Sequence, residues 1–197
     1  MSTPTKLISY EDSLFLPENR FEEIIRGESR IMPPATMNHG FVIRALSMIL
    51  GRQLDETEYY IMSEGTGLVI ERDPLTYRVP DLAVFRVEAL SDALQGVSPL
   101  PYIWAVPDLV VECLSPSNRR GLIRELLANY AQIAVPEVWL LEPQPPRFTS
   151  YYYESGALRE HQSAARAIVT PRLLPGVTVD LSDLWTAFEH GPFGVKR

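Results

Sequence analysis

Cysteine and lysine are scarce in this 197-residue chain, and both scarcities exclude particular chemistry. Cys113 is the only cysteine, so neither an intrachain disulfide nor a multi-cysteine zinc site can form. The only lysines, Lys6 and Lys196, lie near the two ends of the sequence, and the other sixteen basic residues are arginines. We therefore expect no chemistry that requires a lysine within the folded core.

Long apolar runs are absent as well. The longest, near residues 41–50, is interrupted by Arg44 and is too short to cross a bilayer. The first twelve residues show neither an apolar core nor a small-residue cleavage site, so we expect no secretory signal. These features predict a soluble, cytoplasmic protein with no membrane partner.

The length predicts a single domain that spans residues 1–197. The net charge of −7 argues against a general nucleic-acid coat, because phosphate binding needs positive potential. A nuclease with a local basic groove remains compatible with that charge. Composition alone therefore leaves the function open.

The spacing of apolar residues predicts an α/β fold with a mixed central sheet flanked by helices. Capping-box spacing between Ser9 and Asp12 predicts a short first helix. Residues 88–106 are predicted to form a loop. The other predicted elements are a hairpin over 21–32 with its turn at Arg26-Gly27, helices over 39–54, 119–134 and 182–188, strands over 59–63, 67–71, 78–85, 109–114, 138–141 and near 177, and a hairpin over 148–161.

Two carboxylates fall within apolar strand sequence. Asp81 lies in the predicted strand 78–85, and Glu112 lies in the most apolar run of the chain. A buried carboxylate needs a cation, a hydrogen-bond network or a proton, and two on neighbouring strands suit one hard divalent cation. Asp108 either joins this site or caps its strand. The alternative is that Asp81 and Glu112 form ion pairs with arginines such as Arg78.

Several common sites are missing. The sequence has no phosphate-binding loop, no dinucleotide glycine fingerprint and no nucleophile elbow. The three histidines show no metal-ligand spacing. A catalytic pair of His39 and Cys113 stays open, although a lone cysteine is usually a buried, inert thiol.

A series of short motifs resembles one family in order and spacing. The motifs are Ser9-Tyr-Glu-Asp12, Glu23-Ile-Ile-Arg-Gly-Glu28, Met32-Pro-Pro34 with His39, Pro80-Asp81, Pro107-Asp-Leu-Val-Val-Glu112, Ser115-Pro-Ser117, Tyr130 and Val135-Pro-Glu-Val-Trp139. Together they resemble the Uma-two family of bacterial endonucleases over about residues 9–188. That family looks like a branch of the PD-(D/E)xK superfamily, which cuts DNA with Mg²⁺ on a restriction-endonuclease-like core.

The resemblance implies roles for three residues. Asp81 and Glu112 match the acids that hold Mg²⁺ or Mn²⁺, and Glu23 matches an auxiliary catalytic acid. Arg119 and His39 are candidates for contacts with a substrate phosphate, although His39 also suits packing or capping at a helix start. The superfamily resemblance and the aromatic C-terminal half further predict a homodimer.

The chain departs from the pattern where the superfamily carries a lysine. Leu114 stands two residues after Glu112, and Leu126 stands where many family members place a lysine on the following helix. Leu122 replaces an acid one turn earlier, on the same predicted face towards the sheet. The resemblance thus implies either a weakened endonuclease or an inactive nucleic-acid-binding or dimerisation module. A small-molecule enzyme that uses the same carboxylates is a third alternative.

Overall fold

A computed structural model describes residues 7–15, 22–32, 36–63, 67–94, 102–115 and 120–191. Within this part of the chain there are five helices: α1 (Tyr10–Ser13), α2 (Met37–Gly51), α3 (Val87–Leu94), α4 (Arg120–Gln132) and α5 (Leu181–His190). The strands are β1 (Glu22–Ile25), β2 (Glu28–Ile31), β3 (Tyr59–Ser63), β4 (Gly67–Arg72), β5 (Leu75–Arg78), β6 (Leu82–Arg86), β7 (Tyr102–Ile103), β8 (Leu109–Cys113), β9 (Glu137–Pro143), β10 (Pro146–Glu154), β11 (Ala157–Ala164), β12 (Ile168–Val169) and β13 (Val179–Asp180).

The strands form two large sheets rather than one. The larger has the order β11-β10-β9-β8-β6-β3, and the smaller has the order β2-β1-β5-β4-β7. Each contains one parallel pair, β8 with β9 and β4 with β7, among antiparallel neighbours. The crossover from β8 to β9 contains α4, as a parallel connection requires. The predicted α/β class with a mixed sheet is therefore confirmed.

Strand β8 is covered on both faces. Val111 belongs to a buried cluster that includes Leu46 of α2 and Trp185 of α5. The neighbouring Val110 belongs to a second cluster that includes Leu126 of α4. Because successive strand residues point to opposite faces, α2 and α4 lie on opposite sides of the six-stranded sheet.

Several local predictions are confirmed. Ser9 and Asp12 form a reciprocal capping box at α1, and β1 and β2 form the first hairpin around Arg26-Gly27. The later hairpin turns at Ser155-Gly156, as predicted. In each case the signal lies in neighbouring residues and does not depend on distant contacts.

Other predictions are wrong. Helix α2 begins at Met37, because Thr36 rather than a later residue caps it. The predicted strand 78–85 is two strands, since β5 pairs in the smaller sheet and β6 in the larger. The predicted loop over 88–106 contains α3 and β7, and Leu90 and Ala93 pack α3 against the core.

Candidate active site

Asp81 lies where the chain leaves one sheet and enters the other. β6 pairs with β8 so that Leu82 faces Val111. One further step in this register brings Asp81 opposite Glu112. The backbone N–H of Cys113 donates to Asp81 Oδ2 over 2.6 Å. The two predicted metal ligands thus lie at the same end of neighbouring strands.

His39 contacts Asp81 from the α2 side. Its Nε2 lies 3.0 Å from Asp81 Oδ1. Burial lowers the pKa of His39, but hydrogen bonds to Asp81 and Cys113 outweigh that effect and raise the pKa to about 10. His39 is therefore an imidazolium at neutral pH, and it donates to Asp81. The helix cap predicted as its alternative role belongs to Thr36.

Cys113 shares this corner with His39. Burial raises the pKa of the Cys113 thiol, although the hydrogen bond with His39 acts in the opposite direction. Only the thiolate is a strong nucleophile. The structure brings His39 and Cys113 together, yet it leaves the sulfur as a protonated, buried thiol.

Glu112 lies on the α4 side, where the Tyr130 hydroxyl donates to its Oε1. The pKa of Glu112 lies well above its ordinary value. Burial is the main cause, and the negative charge of Asp81 adds to it. Tyr130 lowers this pKa, whereas Glu23 raises it. Burial and the neighbouring acids together thus raise the pKa of Glu112 more than Tyr130 and Arg78 lower it.

Glu23 is held by the arginine that the sequence suggested as a partner for the other two acids. Arg78 Nη1 donates to Glu23 over 2.6 Å, and the Val79 N–H donates to Glu23 over 3.2 Å. Arg78 also donates through Nε and Nη2 to Asn129 Oδ1, at 2.9 and 2.7 Å. Arg78 is thus hydrogen-bonded to Glu23 and Asn129.

Asp108 does not join this group. It forms an ion pair of 3.1 Å with Arg86. Since β6 and β8 are antiparallel, Arg86 at the end of β6 lies beside the start of β8, away from Glu112. Asp108 therefore has a structural role at the opposite end of the strand.

The two leucines of α4 have different environments. Leu126 is buried and packs with Val110 and Leu114, so the position of the missing lysine is apolar. Leu122 is 47% exposed, and its predicted packing against the sheet is wrong. Four residues rotate a helix about 40° beyond a full turn, which carries Leu122 off the buried face. Arg119 lies outside the described residues.

The donor set suits a magnesium ion with few protein ligands. Among the described residues, no three His, Cys, Asp or Glu side chains are grouped as a metal site. Mg²⁺ usually takes only one or two carboxylates and completes its shell with water and substrate phosphates. Asp81 and Glu112 carry such oxygens, and a cation would offset the burial and the charge of Asp81, which together raise the pKa of Glu112. These two residues therefore fit Mg²⁺ or Mn²⁺.

Sequence reasoning missed the polar network around these acids. It did not find the contact of His39 with Asp81, or the link from Glu23 through Arg78 to Asn129. The adjacency of Asn129 and Tyr130 on α4 is visible in the sequence, but their partners lie on strands that only the fold brings near. The one usable signal was Tyr130, which stands in a motif of the family.

The fold matches that of a solved structure. The chain superimposes with a TM-score of 0.75 on a crystal structure described as "a putative nuclease belonging to DUF820" from Anabaena variabilis ATCC 29413. The two chains share 16% identity, and the match covers 92% of this chain and 99% of the other. The two chains thus share one α/β fold.

Residues 8–182 match the Uma2 family, described as "Putative restriction endonuclease", and the chain belongs to that family. The family resemblance expected from the short motifs is confirmed. A comparison with curated proteins finds no significant match. None of the helices in the described ranges is long and apolar enough to span a membrane.

Proposed function

We propose that the protein is a cytoplasmic, metal-dependent DNA endonuclease of the PD-(D/E)xK type that works slowly because it lacks the core lysine. The observation that carries this proposal is the placement of Asp81 beside Glu112 at one end of β6 and β8. Membership of a restriction-endonuclease family supports DNA as the substrate. The fold supports the same class of protein.

Asp81 and Glu112 would hold Mg²⁺ or Mn²⁺. Such a metal polarises the scissile phosphate and lowers the pKa of an attacking water. The chain contributes rigidity, because the Cys113 N–H and His39 each donate to one oxygen of Asp81. Tyr130 orients Glu112 in the same way.

Glu23 is the proposed auxiliary acid. Arg78 and the Val79 N–H fix its carboxylate on the β1 side of the site. The Glu23 carboxyl group would orient a water near the other two acids. His39 is held against Asp81 and is proposed to position Asp81 as a metal ligand. Contact with the substrate phosphate would then come from another cation, such as Arg119.

The apolar environment of Leu126 supports a second candidate function. A member of the family that binds DNA or dimerises without cutting would keep the fold and lose the lysine beside the acids. Leu126 packs with Leu114, which occupies the other lysine position of the superfamily. Both positions are hydrophobic here, which is the pattern expected of an inactive module.

Plasmid cleavage in Mg²⁺ or Mn²⁺ separates the two candidates. An endonuclease nicks supercoiled plasmid slowly, and Asp81→Ala abolishes the nicking. Asp108→Asn is the matched control, because it changes an acid at the opposite end of the same strand pair and should retain cleavage. Wild-type protein that binds DNA but gives no metal-dependent nicking would support the inactive module instead.

A further inference from the structure

An open cleft lies beside the acidic site. Its volume of about 820 Å³ is typical of a ligand site. It runs between the first hairpin and the first turns of α4. Its lining includes three arginines, Arg26, Arg30 and Arg124, against one acid, Glu125. The chain as a whole carries a net charge of −7, so this positive surface runs against the overall charge.

Asn129 connects the cleft to the candidate active site. It lines the cleft and accepts two hydrogen bonds from Arg78, which also holds Glu23. The next residue, Tyr130, donates to Glu112. Arg78 and Asn129 therefore lie between a ligand in the cleft and Glu23.

The turn that carries Arg26 is held firmly. The Arg26 N–H donates to Thr76 Oγ1 over 3.0 Å, and the Gly27 N–H donates to the Leu75 carbonyl over 2.7 Å. Gly27 has φ of +77°, and a Cβ there would approach Leu7 Cβ to 2.7 Å. The arginine thus projects from a preorganised loop, which reduces the entropic cost of binding.

Glu125 restrains one of the three cations. It accepts hydrogen bonds from Arg30 at 2.6 and 3.2 Å, and Arg30 lowers the pKa of Glu125. Glu125 is therefore ionised and competes with any other anion for Arg30. Arg26 and Arg124 are exposed to solvent, where they can meet an anion directly.

We propose that this cleft binds the phosphate backbone of the DNA substrate, with Arg26 and Arg124 as the phosphate contacts. Glu125 is a competing anion that lowers the affinity for DNA. The inference rests on the proposed function for its choice of ligand. Arginine forks match phosphate oxygens in geometry and charge. Nucleic acid bound here would run past Asn129 towards the candidate metal ligands.

Fluorescence anisotropy measures the affinity of the protein for a labelled duplex of about 20 base pairs and so tests the cleft. EDTA is present to remove divalent metal and prevent cleavage. Arg26→Gln/Arg124→Gln should weaken binding about tenfold or more in low salt. It should also reduce the slope of log K against log salt by about two, one for each lost phosphate contact. The matched control is Arg44→Gln/Arg52→Gln, which removes the same charge from exposed positions of α2 and its C-cap across the sheet.

Glu125→Gln gives a change of opposite sign. It removes the competing charge and frees Arg30, so the duplex should bind about threefold or more tightly, in keeping with one gained phosphate contact. This variant keeps the inference testable if the double arginine variant fails a thermal-melting check for folding. Equal affinities for wild type, Glu125→Gln and both folded double variants would overturn the cleft assignment.

The outcomes for the cleft and for the enzyme are distinguishable. Loss of binding in the cleft variant, together with no plasmid nicking by wild type, supports the cleft and contradicts the endonuclease. Metal-dependent nicking with unchanged binding in the cleft variants contradicts the cleft alone. Wild-type protein that binds no duplex even in low salt overturns the cleft assignment, and if it also fails to nick plasmid with Mg²⁺ or Mn²⁺ the endonuclease is overturned as well.

Discussion

His39 Nε2 lies 3.0 Å from Asp81 Oδ1, and this contact ties the start of α2 to the junction between the two sheets. The other oxygen of Asp81 accepts from the Cys113 backbone. Both oxygens are thereby oriented by groups from different elements. Asp81 lies outside regular secondary structure, and these two hydrogen bonds explain how its carboxylate holds one position.

Removing either His39 or Asp81 should lower the free energy of unfolding, and the effects of the two changes should not be additive. Loss of His39 leaves a partly buried carboxylate oxygen without its charged donor, which costs about 1–3 kcal/mol. A double-mutant cycle of His39→Ala and Asp81→Ala, measured by urea unfolding in EDTA, should give a coupling energy of about 1 kcal/mol or more. His161→Ala is the control, because that ring stacks on Tyr152 instead. Additive effects for His39 and Asp81 would contradict the contact.

Metal binding should depend on the two strand carboxylates. Calorimetry with Mn²⁺ is expected to show binding to wild-type protein and its loss in Asp81→Ala/Glu112→Ala. Glu112→Gln should weaken binding while it retains the shape of the side chain and the Tyr130 contact. Asp108→Asn should bind like wild type. Unchanged Mn²⁺ binding in the double alanine variant would end the hypothesis of a shared ion.

Restoring the missing lysine should raise Mg²⁺-dependent cleavage. Leu126→Lys adds positive charge beside the strand that bears Glu112, and one preorganised electrostatic group is worth about 10²–10³ in rate. The same change should cost a few kcal/mol of stability, since Leu126 is only 8% exposed. Leu122→Asp is expected to be tolerated at its exposed position and to stabilise the new lysine one helical turn away.

Leu127→Lys is the matched control, because it places a lysine one residue further along α4. Thermal melting shows which variants are folded before their cleavage is compared. A folded Leu126→Lys protein that cleaves no faster than wild type would contradict the role assigned to the absent lysine. Efficient cleavage by wild type that Arg119→Ala abolishes would instead give that role to arginine.

The stability of the protein should fall with rising pH in part because of Asp108. Burial raises the pKa of Asp108 above its ordinary value of 3.8, although Arg86 lowers it in part. A raised folded-state pKa gives a contribution that is complete below the unfolded pKa and disappears as pH rises through the folded value. Asp108→Asn should therefore gain stability relative to wild type as pH rises from about 4 to 7. Thermal melting across this range tests it, with the exposed Glu56→Gln as control. A constant difference in melting temperature would contradict the assignment.

Homodimerisation remains a prediction. The aromatic C-terminal half supports it less directly than expected, because Tyr151 to Tyr153 are half-buried and Tyr152 stacks on His161. Phe15 and Ile31, at 87% and 84% exposure, offer other apolar contacts. Light scattering at micromolar concentration should give twice the chain mass of 22.3 kDa, and a monomeric mass would refute it.

Local signals in the sequence determined the short-range structure of this protein. The Ser9–Asp12 cap, the glycine turn at Gly27 and the apolar run of β8 each depend on residues close in the chain. The motif order also sufficed to indicate the family, since motifs are read along the chain. Neither the apolar pattern nor the motifs revealed that residues 75–78 and 82–86 pair in different sheets, because pairing partners are distant in sequence.

Tertiary structure alone decided which charges meet. Sequence spacing predicted strands around Asp81 and Glu112, but only the β6–β8 register brings these two stretches of backbone next to each other. It left Arg78 as a partner for either acid, whereas the fold gives it to Glu23 and Asn129. The physical reason is that hydrophobic periodicity specifies which face of an element is buried, while the partner of a polar side chain depends on how those elements are arranged in space.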